Sequence, residues 1–203
     1  MEIDKKTYKI KSDNHYKTRL VKNQIILGVS LRKDHNHITR LQHKDYGKSK
    51  KWNTFTVSRD GEIFQHYNEK HHTDFIGIKD VDKKAISIVL ENMGCLFEVE
   101  KEKYLNWLNE ECDKDVVIKR NWLTYSFWEK FTDEQIESTI LLLRHLCEVH
   151  SIPEKIIDFH HYHKDTVKYR GIVFRSNYIE NSSDLTPMFD IPKFNEMLHN
   201  KFI

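Results

Sequence analysis

Cysteine is scarce in this sequence, and long apolar runs are missing. The three cysteines, Cys95, Cys112 and Cys147, are odd in number and widely spaced, which argues against a disulfide framework and predicts reduced thiols in a cytosolic protein. No run approaches the roughly 18 apolar residues of a transmembrane helix, and residues 1–17 lack the apolar segment of a signal peptide. We therefore expect a cytoplasmic protein with no membrane partner.

An excess of one charge is missing as well. Lys and Arg number 33 and Asp and Glu 31, so the formal net charge of +2 gives no reason to expect a nucleic-acid partner. What is present is a hydrophobic content of 38% and an aromatic content of 12%, which is too high for a disordered chain. At 203 residues the simplest organisation is one folded domain.

Short apolar and alternating runs predict the strands. Residues 24–30 and 85–91 are apolar runs typical of buried strands. Between them, residues 53–58 and 62–67 flank Asp60-Gly61, and a turn of this kind between alternating runs is a strong hairpin signal. A hairpin beside buried strands predicts a mixed sheet.

Capping residues predict the most secure helix. Residues 132–135, Thr-Asp-Glu-Gln, form a capping-box pattern, in which Thr132 accepts from the amide of Gln135 and the Gln135 side chain reaches back. Apolar residues at helical spacing follow, and the helix should end near His150 before Pro153.

The predicted fold class is α/β, with a mixed central β-sheet flanked by helices in a single domain over residues 1–203. Residues 1–20 are predicted as an N-terminal lead-in. Residues 97–130, rich in Trp and Tyr, are predicted as an insertion with some helix, and residues 164–181 as a second insertion. A last helix is expected over residues 193–199.

The stretch DFHHYH, residues 158–163, packs three histidines into four positions. A strand over residues 156–160 would deliver them at its end. His160 and His161 would then point to opposite faces and would not easily share one ion. Because zinc takes its ligands from several segments, the stretch alone favours a polar strand end over a metal site.

The order of these elements resembles the zinc-dependent N-acetylmuramoyl-L-alanine amidases, a family that includes phage amidase-type lysozymes and the peptidoglycan recognition proteins. The most specific piece is the hairpin F-x-V-x-R-D-G-x-I-x-Q over residues 55–65, followed by D-x-x-P-x-F-D over residues 184–190. The resemblance spans residues 24–190. It implies an amidase or peptidoglycan-recognition-like fold and a peptidoglycan fragment as ligand. It also implies a phage-encoded protein as one origin, reaching the cell wall on lysis or delivery.

The resemblance also implies a zinc site. In the family, zinc is held by a His at the end of the first strand, a His after the long helix and an Asp or Cys near the C-terminus. The second ligand falls on His160 and the third on Asp184. The first aligns with Gly28, which has no donor, so His35 or His37 in the following loop is expected to replace it.

The proton-transfer positions of the family also differ here. The acidic residue of the third strand aligns with Val89, and the Tyr before the hairpin aligns with Asn53. Glu91, two residues on and on the same strand face as Val89, is the candidate catalytic base.

Three functions stay open from the sequence, and so does the oligomeric state. The first is a zinc-dependent amidase. The second is an inactive amidase-fold protein that binds a small anionic ligand, since Lys168, Arg170 and Arg175 make the second insertion basic. Its groove would be lined by polar residues, namely Asn53, Thr54, His72, Asp74, His160 and Arg175. The third is a structural or assembly role, with the aromatic residues of 97–130 as a partner surface.

Overall fold

The computed structural model describes residues 1–33, 35–36, 38–39 and 50–200. The described strands, in chain order, are β1 (Gln24–Val29), β2 (Phe55–Val57), β3 (Ile63–Gln65), β4 (Ala85–Leu90), β5 (Cys95–Glu100), β6 (Lys103–Leu105), β7 (Glu111–Cys112), β8 (Val117–Trp122), β9 (Tyr125–Glu129) and β10 (Gly171–Phe174). The described α-helices are α1 (Lys79–Lys84), α2 (Asp133–His150) and α3 (Ile191–His199). None of these helices combines the length and apolar character needed to cross a lipid bilayer.

A mixed five-stranded sheet forms the centre of the molecule, with the strand order β10-β1-β4-β2-β3. β10, β1, β4 and β2 pair in parallel, and β3 returns antiparallel to β2. β1 and β4 are buried along their whole length, as the near-continuous apolar runs of parallel strands are. The predicted α/β class and the mixed sheet are confirmed.

The turn of the β2–β3 hairpin lies against α2. Gly61 has a φ of +80°, and the amide of Gly61 donates to the carbonyl of Ser58 at 3.1 Å. A Cβ at this position would lie 2.8 Å from the carbonyl oxygen of Glu134, closer than packing allows. Glycine is therefore needed twice, for the backbone angle and for the approach of the helix. The hairpin prediction is confirmed.

Only half of the predicted capping box forms at the start of α2. Thr132 Oγ1 accepts from the Gln135 amide at 3.1 Å, as expected. The Gln135 side chain does not reach back. Its amide Nε2 donates to the carbonyls of Val57, at 3.0 Å, and Glu91, at 2.9 Å. Because these carbonyls stand at the ends of β2 and β4, Gln135 ties the helix to the sheet.

The helix expected within residues 97–130 is wrong. This segment forms a second, antiparallel sheet with the order β7-β6-β5-β9-β8 and one short 3-10 turn at Lys114–Val116. Aromatic and β-branched residues, which favour strands, fill it. Trp128 is fully buried, whereas Trp107 is 53% exposed, so the aromatic residues of this segment serve partly as core and partly as surface.

The strand expected over residues 156–160 is also wrong. One isolated bridge joins Ile156 to Ile172, and the chain then leaves the sheet. Asn177 Nδ2 donates to the carbonyls of both Phe159 and His161, at 2.9 and 3.0 Å, which holds the histidine stretch as a loop. The strand that pairs with β1 is β10, within the segment 164–181 that was predicted as an insertion.

The N-terminal lead-in is bound to the sheet edge and is called the N-terminal strap (residues 1–20) below. Asp4 pairs with β3 through the Asp4 amide to Ile63 and the Gln65 amide to Asp4, at 2.9 and 2.8 Å. Further along, Tyr16 and His72 form an antiparallel bridge. The strap therefore protects an otherwise open strand edge.

Replacing Gln135 with Met should lower the free energy of unfolding by about 1–3 kcal/mol, because the buried carbonyls of Val57 and Glu91 each lose a side-chain donor, although the Val57 carbonyl still accepts from the Glu91 amide. The side chain is fully buried, so water does not replace the amide. Denaturant unfolding measures the change. Glu137→Met, at an exposed position of the same helix, is the control and should stay within about 0.5 kcal/mol of the parent. Equal stability of both variants would contradict the proposed tie.

Candidate functional site

The carboxyl ends of β10, β1, β4 and β2 lie at one edge of the central sheet, called the carboxyl edge below. Open α/β sheets bind ligands in the crevice outside such strand ends. Gly28 is the second-to-last residue of β1, Glu91 directly follows β4, and Arg175 directly follows β10. Three of these strands therefore deliver Gly28, Glu91 and Arg175 to one edge of the sheet.

Asp184 is the buried charge of the carboxyl edge, with a side chain that is 2% exposed. Its Oδ1 accepts from the amides of Val29, at 2.7 Å, and Leu185, at 2.8 Å. Its Oδ2 forms an ion pair with Nε of Arg175. Arg175 Nη2 also donates to the carbonyl of Val29 at 3.3 Å. The pair therefore joins the C-terminal part of the chain to the ends of β1 and β10.

Because Gly28 has no side chain, the ion pair can occupy the space beside it. A Cβ at Gly28 would lie 3.3 Å from Asp184 Oδ2 and 3.5 Å from Arg175 Nε. Any side chain at this position would therefore point into the pair. Gly28 is also the register partner of Val89 on β4. The two positions where the resemblance leads us to expect a His and an acid thus lie side by side, and neither carries a polar side chain.

Glu91 and His35 form a second polar pair at the carboxyl edge. His35 Nδ1 lies 2.9 Å from Glu91 Oε1, and the Glu91 side chain is 1% exposed whereas that of His35 is 37% exposed. The His35 ring also contacts the rings of Tyr8 and Phe64, with centroids 5.8 and 5.5 Å away. Glu91, predicted as a catalytic base, therefore has an imidazole partner that stands between it and solvent.

The second sheet holds the loop that carries His35. The Lys33 amide donates to Glu110 Oε2 at 3.0 Å, and Asn36 Nδ2 donates to Glu110 Oε1 at 2.7 Å. Burial acts to raise the pKa of Glu110, but hydrogen bonds from Lys33, Asn106 and Asn36 hold it below its usual value. Glu110 therefore stays charged as it anchors the loop.

The side chain of His160 contacts different residues from those that contact Asp184. Its ring stacks on Phe174, with centroids 5.1 Å apart, and meets the edge of Trp122 at 6.2 Å. Burial lowers the pKa of the imidazole below its usual value, and Nδ1 is buried without a hydrogen-bond partner among the described residues. The predicted ligand pair of His160 and Asp184 stays a prediction, and these contacts do not support it.

The predicted ligand groove is only partly formed. Asn53 and Thr54 are buried, at 3% and 1% exposure, and bind within the fold. Asn53 Nδ2 donates to Thr56 Oγ1 at 2.8 Å, and Thr54 Oγ1 to the hydroxyl of Tyr67 at 3.0 Å. Both residues precede β2 and are enclosed by these contacts, so a groove lined by Asn53 and Thr54 stays a prediction that their burial does not support.

His72 and Asp74 are covered by the N-terminal strap. The Tyr16 ring stacks on His72 with centroids 4.7 Å apart, and the Tyr16 hydroxyl donates to Asp74 Oδ2 at 3.1 Å. Arg175 is thus the predicted groove residue that lies directly at the carboxyl edge, with a side chain 24% exposed and the ring of Phe75 5.6 Å from its guanidinium carbon.

Comparison with known sequences identifies the family. The model of the family described as N-acetylmuramoyl-L-alanine amidase matches residues 23–171, more than half of the chain. The chain belongs to this amidase family. The match ends at Gly171, the first residue of β10, and so before Arg175 and Asp184. No curated protein matches the sequence of this amidase-family chain.

Solved structures of amidases share the fold. N-acetylmuramoyl-L-alanine amidase LysC from Clostridium intestinale URNW is 15% identical, with a TM-score of 0.58 over 98% of this chain and 97% of that chain. The endolysin amidase LysCS from the same organism has a TM-score of 0.56 at 15% identity, over 97% and 95% of the two chains. The PlyG catalytic domain has a TM-score of 0.51 at 9% identity, over 89% and 82%. The protein is thus amidase-like, and its family implies peptidoglycan as the ligand class.

The described residues of this amidase-family protein do not fit a zinc ion. A catalytic zinc needs three protein donors and an open position. Gly28 offers no donor, and the oxygens of Asp184 already face two amides and a guanidinium. No group of three or more His, Cys, Asp or Glu side chains within the described ranges has the spacing of a metal site. His37, the other candidate for the missing ligand, lies outside those ranges.

The sequence predicts functional roles for both Arg175 and Asp184, but separate ones, in anion binding and in zinc binding. The missing step was β10: the run Gly171-Ile172-Val173-Phe174 is short and apolar, as a buried parallel strand is. If this run is the strand after the long helix, Arg175 falls at its end, beside β1. Arg175 then occupies the position of the second zinc ligand, the His that follows the long helix in the family.

A double variant, Gly28→His with Arg175→His, should bind zinc. The substitutions remove the guanidinium and place two imidazoles at the ends of neighbouring strands, beside the carboxylate of Asp184. We expect about one zinc per chain after dialysis, measured by elemental analysis and by competition with a chromophoric chelator. Gly28→His alone should stay poor in zinc, because Arg175 still occupies Asp184. A folded double variant without zinc would contradict the arrangement described for this edge.

Proposed function

We propose that this amidase-like protein recognises peptidoglycan fragments at the carboxyl edge without zinc-dependent hydrolysis. The observation that carries the proposal is the ion pair between Arg175 and Asp184 beside Gly28. A guanidinium supplies a permanent positive charge but has no acceptor and does not lose its proton in proteins. It therefore can bind an anion, whereas it cannot lower the pKa of a bound water as zinc does.

A carboxylate is the ligand group that suits Arg175. The guanidinium carries five N–H donors in a planar fork, of which one faces Asp184 and one faces the carbonyl of Val29. The side chain is partly exposed, and the ring of Phe75 lies at 5.6 Å and limits its movement. Muropeptides carry carboxylates on their stem peptides, so a small anionic ligand and a peptidoglycan fragment are here the same chemical class.

Glu91 is assigned a positioning role in this proposal. Its buried carboxylate accepts from the imidazole of His35 when Nδ1 carries the proton, which leaves Nε2 of the partly exposed ring directed away from Glu91. Such a ring can accept a hydrogen bond from an amide of a bound peptide. A role of Glu91 as a catalytic base stays a prediction, as does the cytoplasmic location.

Zinc content tests the metal-free part of the proposal. Protein purified without added metal should contain little zinc, and a strong chelator should leave the midpoint of thermal unfolding unchanged. A ligand that binds only the folded state raises its stability by mass action, so a resident zinc would reveal itself by a fall of the midpoint when it is removed. About one zinc per chain together with such a fall would overturn the proposal.

Arg175→Lys tests the binding part. Lysine keeps a positive charge beside Asp184 but loses the planar fork, and the two side chains are not interchangeable where donors are directed. We expect the variant to bind a purified muropeptide at least about tenfold more weakly in isothermal titration calorimetry. Arg170→Lys, at an exposed position of the same segment, should bind like the parent.

Two results would refute the binding proposal. One is equal affinity of the parent and the Arg175→Lys variant, with both proteins folded. The other is release of a free stem peptide from the muropeptide by zinc-free protein, detected by chromatography, because cleavage without metal has no place in this assignment.

A further inference from the structure

The N-terminal strap is attached to the rest of the molecule by backbone pairing along its length. Beyond Asp4, the amide of Ile10 donates to the carbonyl of His66 at 3.0 Å, and the amide of Leu20 to that of Lys70 at 3.1 Å. Tyr16 exchanges hydrogen bonds with His72, at 2.8 and 3.3 Å. All these partners lie on β3 or in the segment directly after it.

Stacked histidine rings fasten the middle of the N-terminal strap. His15 lies between Tyr67 and His71, with centroids 5.3 and 5.1 Å apart and interplanar angles of 14° and 18°. Tyr16 stacks on His72 at 4.7 Å and 19°. In each of the three imidazoles Nδ1 is buried, with no hydrogen-bond partner in the described part of the chain. A proton added at such a nitrogen would be a buried, unpaired donor.

A fourth histidine holds the strap closer to its start. His66 is fully buried. Its Nδ1 donates to the carbonyl of Tyr8 at 2.9 Å, and its Nε2 pairs with Thr56 Oγ1 at 2.8 Å. Burial lowers the pKa of His66 to about 4. This ring therefore remains neutral over most of the range in which other histidines titrate.

The charges that face the three stacked imidazoles are mainly positive. Burial lowers the pKa of His15, His71 and His72, and neighbouring cations lower it further. The groups that face these rings are Lys17, Arg19, Lys22, Lys50 and Lys83 as cations, with Glu69 and Asp74 as the opposing anions. Lys22 is itself buried between the carbonyls of His71 and Lys83, at 2.6 and 3.0 Å.

The N-terminal strap contacts one polar pair of the carboxyl edge directly and reaches the other only through Asp74 and Phe75. The Tyr8 ring lies 5.8 Å from that of His35, the partner of Glu91. The Tyr16 hydroxyl binds Asp74, and the next residue, Phe75, packs against the guanidinium of Arg175. Displacing the strap would therefore remove the Tyr8 ring that lies against His35 and the hydrogen bond that holds the Asp74 side chain beside Phe75.

We propose that the N-terminal strap is an acid-sensitive cover of the carboxyl edge, docked while His15, His71 and His72 are neutral and released when they take up protons. The inference that this release opens a ligand site rests on the proposed function. The release itself does not depend on that function.

The direction of the effect follows from linkage. The docked state favours the neutral rings, so their contribution to docking is complete above the ordinary histidine value of 6.5. It is lost as the pH falls below that value towards the lowered pKa of each ring, because the released state binds more protons.

Hydrogen–deuterium exchange of the full chain at about pH 7.5 and about pH 5 tests the release. After correction for intrinsic rates, protection of the Ile10, Tyr16 and Leu20 amides should fall by about tenfold or more at the lower pH. Protection within β4 should persist. Unchanged protection of the strap, or a loss that includes β4, would overturn the proposal.

A double variant separates titration from stacking. His71→Phe with His72→Phe keeps two aromatic rings against His15 and Tyr16 but removes two protonation sites, and the buried Nδ1 atoms have no partner to lose. Its strap should be clearly more protected than that of the parent at about pH 5, with His15 left as the titrating ring of the stack. His145→Phe, at an exposed position on α2, is the control and should keep the pH dependence of the parent. Release of the double variant equal to that of the parent would overturn the role of these histidines.

Muropeptide binding at the two pH values distinguishes this inference from the proposed function. Tighter binding at the lower pH, lost in His71→Phe with His72→Phe, supports the cover. Release of the strap with no binding at either pH refutes the proposed function and leaves the acid-driven release supported. Binding with a permanently protected strap refutes the cover and leaves the proposed function in place.

Discussion

The ion pair between Arg175 and Asp184 is the constraint on which the carboxyl edge depends. A carboxylate as deeply buried as that of Asp184 persists only if its charge is compensated, and here two amides donate to Oδ1 while the guanidinium of Arg175 forms an ion pair with Oδ2. A buried pair adds little over apolar packing, but removing one partner leaves an uncompensated charge that costs about 3–5 kcal/mol. A substitution of either residue therefore destabilises the fold unless the other residue is changed as well. The glycine at position 28 belongs to the same unit, since a larger residue would enter the pair.

The same pair is the point at which this chain shares the fold of the amidase family but not the donors of its zinc site. A zinc ion is a Lewis acid that needs several neutral or anionic donors around it, whereas a guanidinium is a cation that brings its own donors and asks only for acceptors. At this edge the acceptors are Asp184 and the carbonyl of Val29. Arg175 therefore supplies a positive charge beside Asp184, and a guanidinium, unlike a zinc ion, does not activate water. The chain can belong to the family although its described residues do not suit zinc. A fold and the metal ligands that it carries can change independently of each other.

The sequence predicted those parts of the molecule that are decided locally. The apolar runs of β1 and β4, the Asp-Gly turn and the Thr132 cap each carry their signal within a few residues, and the structure confirms them. Pairing between distant segments was harder. Residues 156–160 and 171–174 are both short apolar runs after α2, and only the register of β10 with β1 decides between them.

The candidate site inherits this limit. The prediction for His160 depends on a run that does not form a strand, and Asn53 and Thr54, predicted as groove residues, are buried by neighbours that are distant in sequence. The pairing of Gln135 with two strand ends was equally invisible, because its acceptors lie more than forty residues away along the chain. Polar residues at such positions show their role only when the long-range neighbours are known.

The anchoring of the His35 loop by Glu110 has a wider consequence. Glu110 belongs to the turn between β6 and β7, outside the central sheet. The second sheet is thereby joined to the segment that carries His35, while it contributes little to the main apolar core. Substitutions in that peripheral sheet can shift the His35 ring relative to Glu91 and leave the central sheet intact, so the position of this imidazole can vary without loss of the fold.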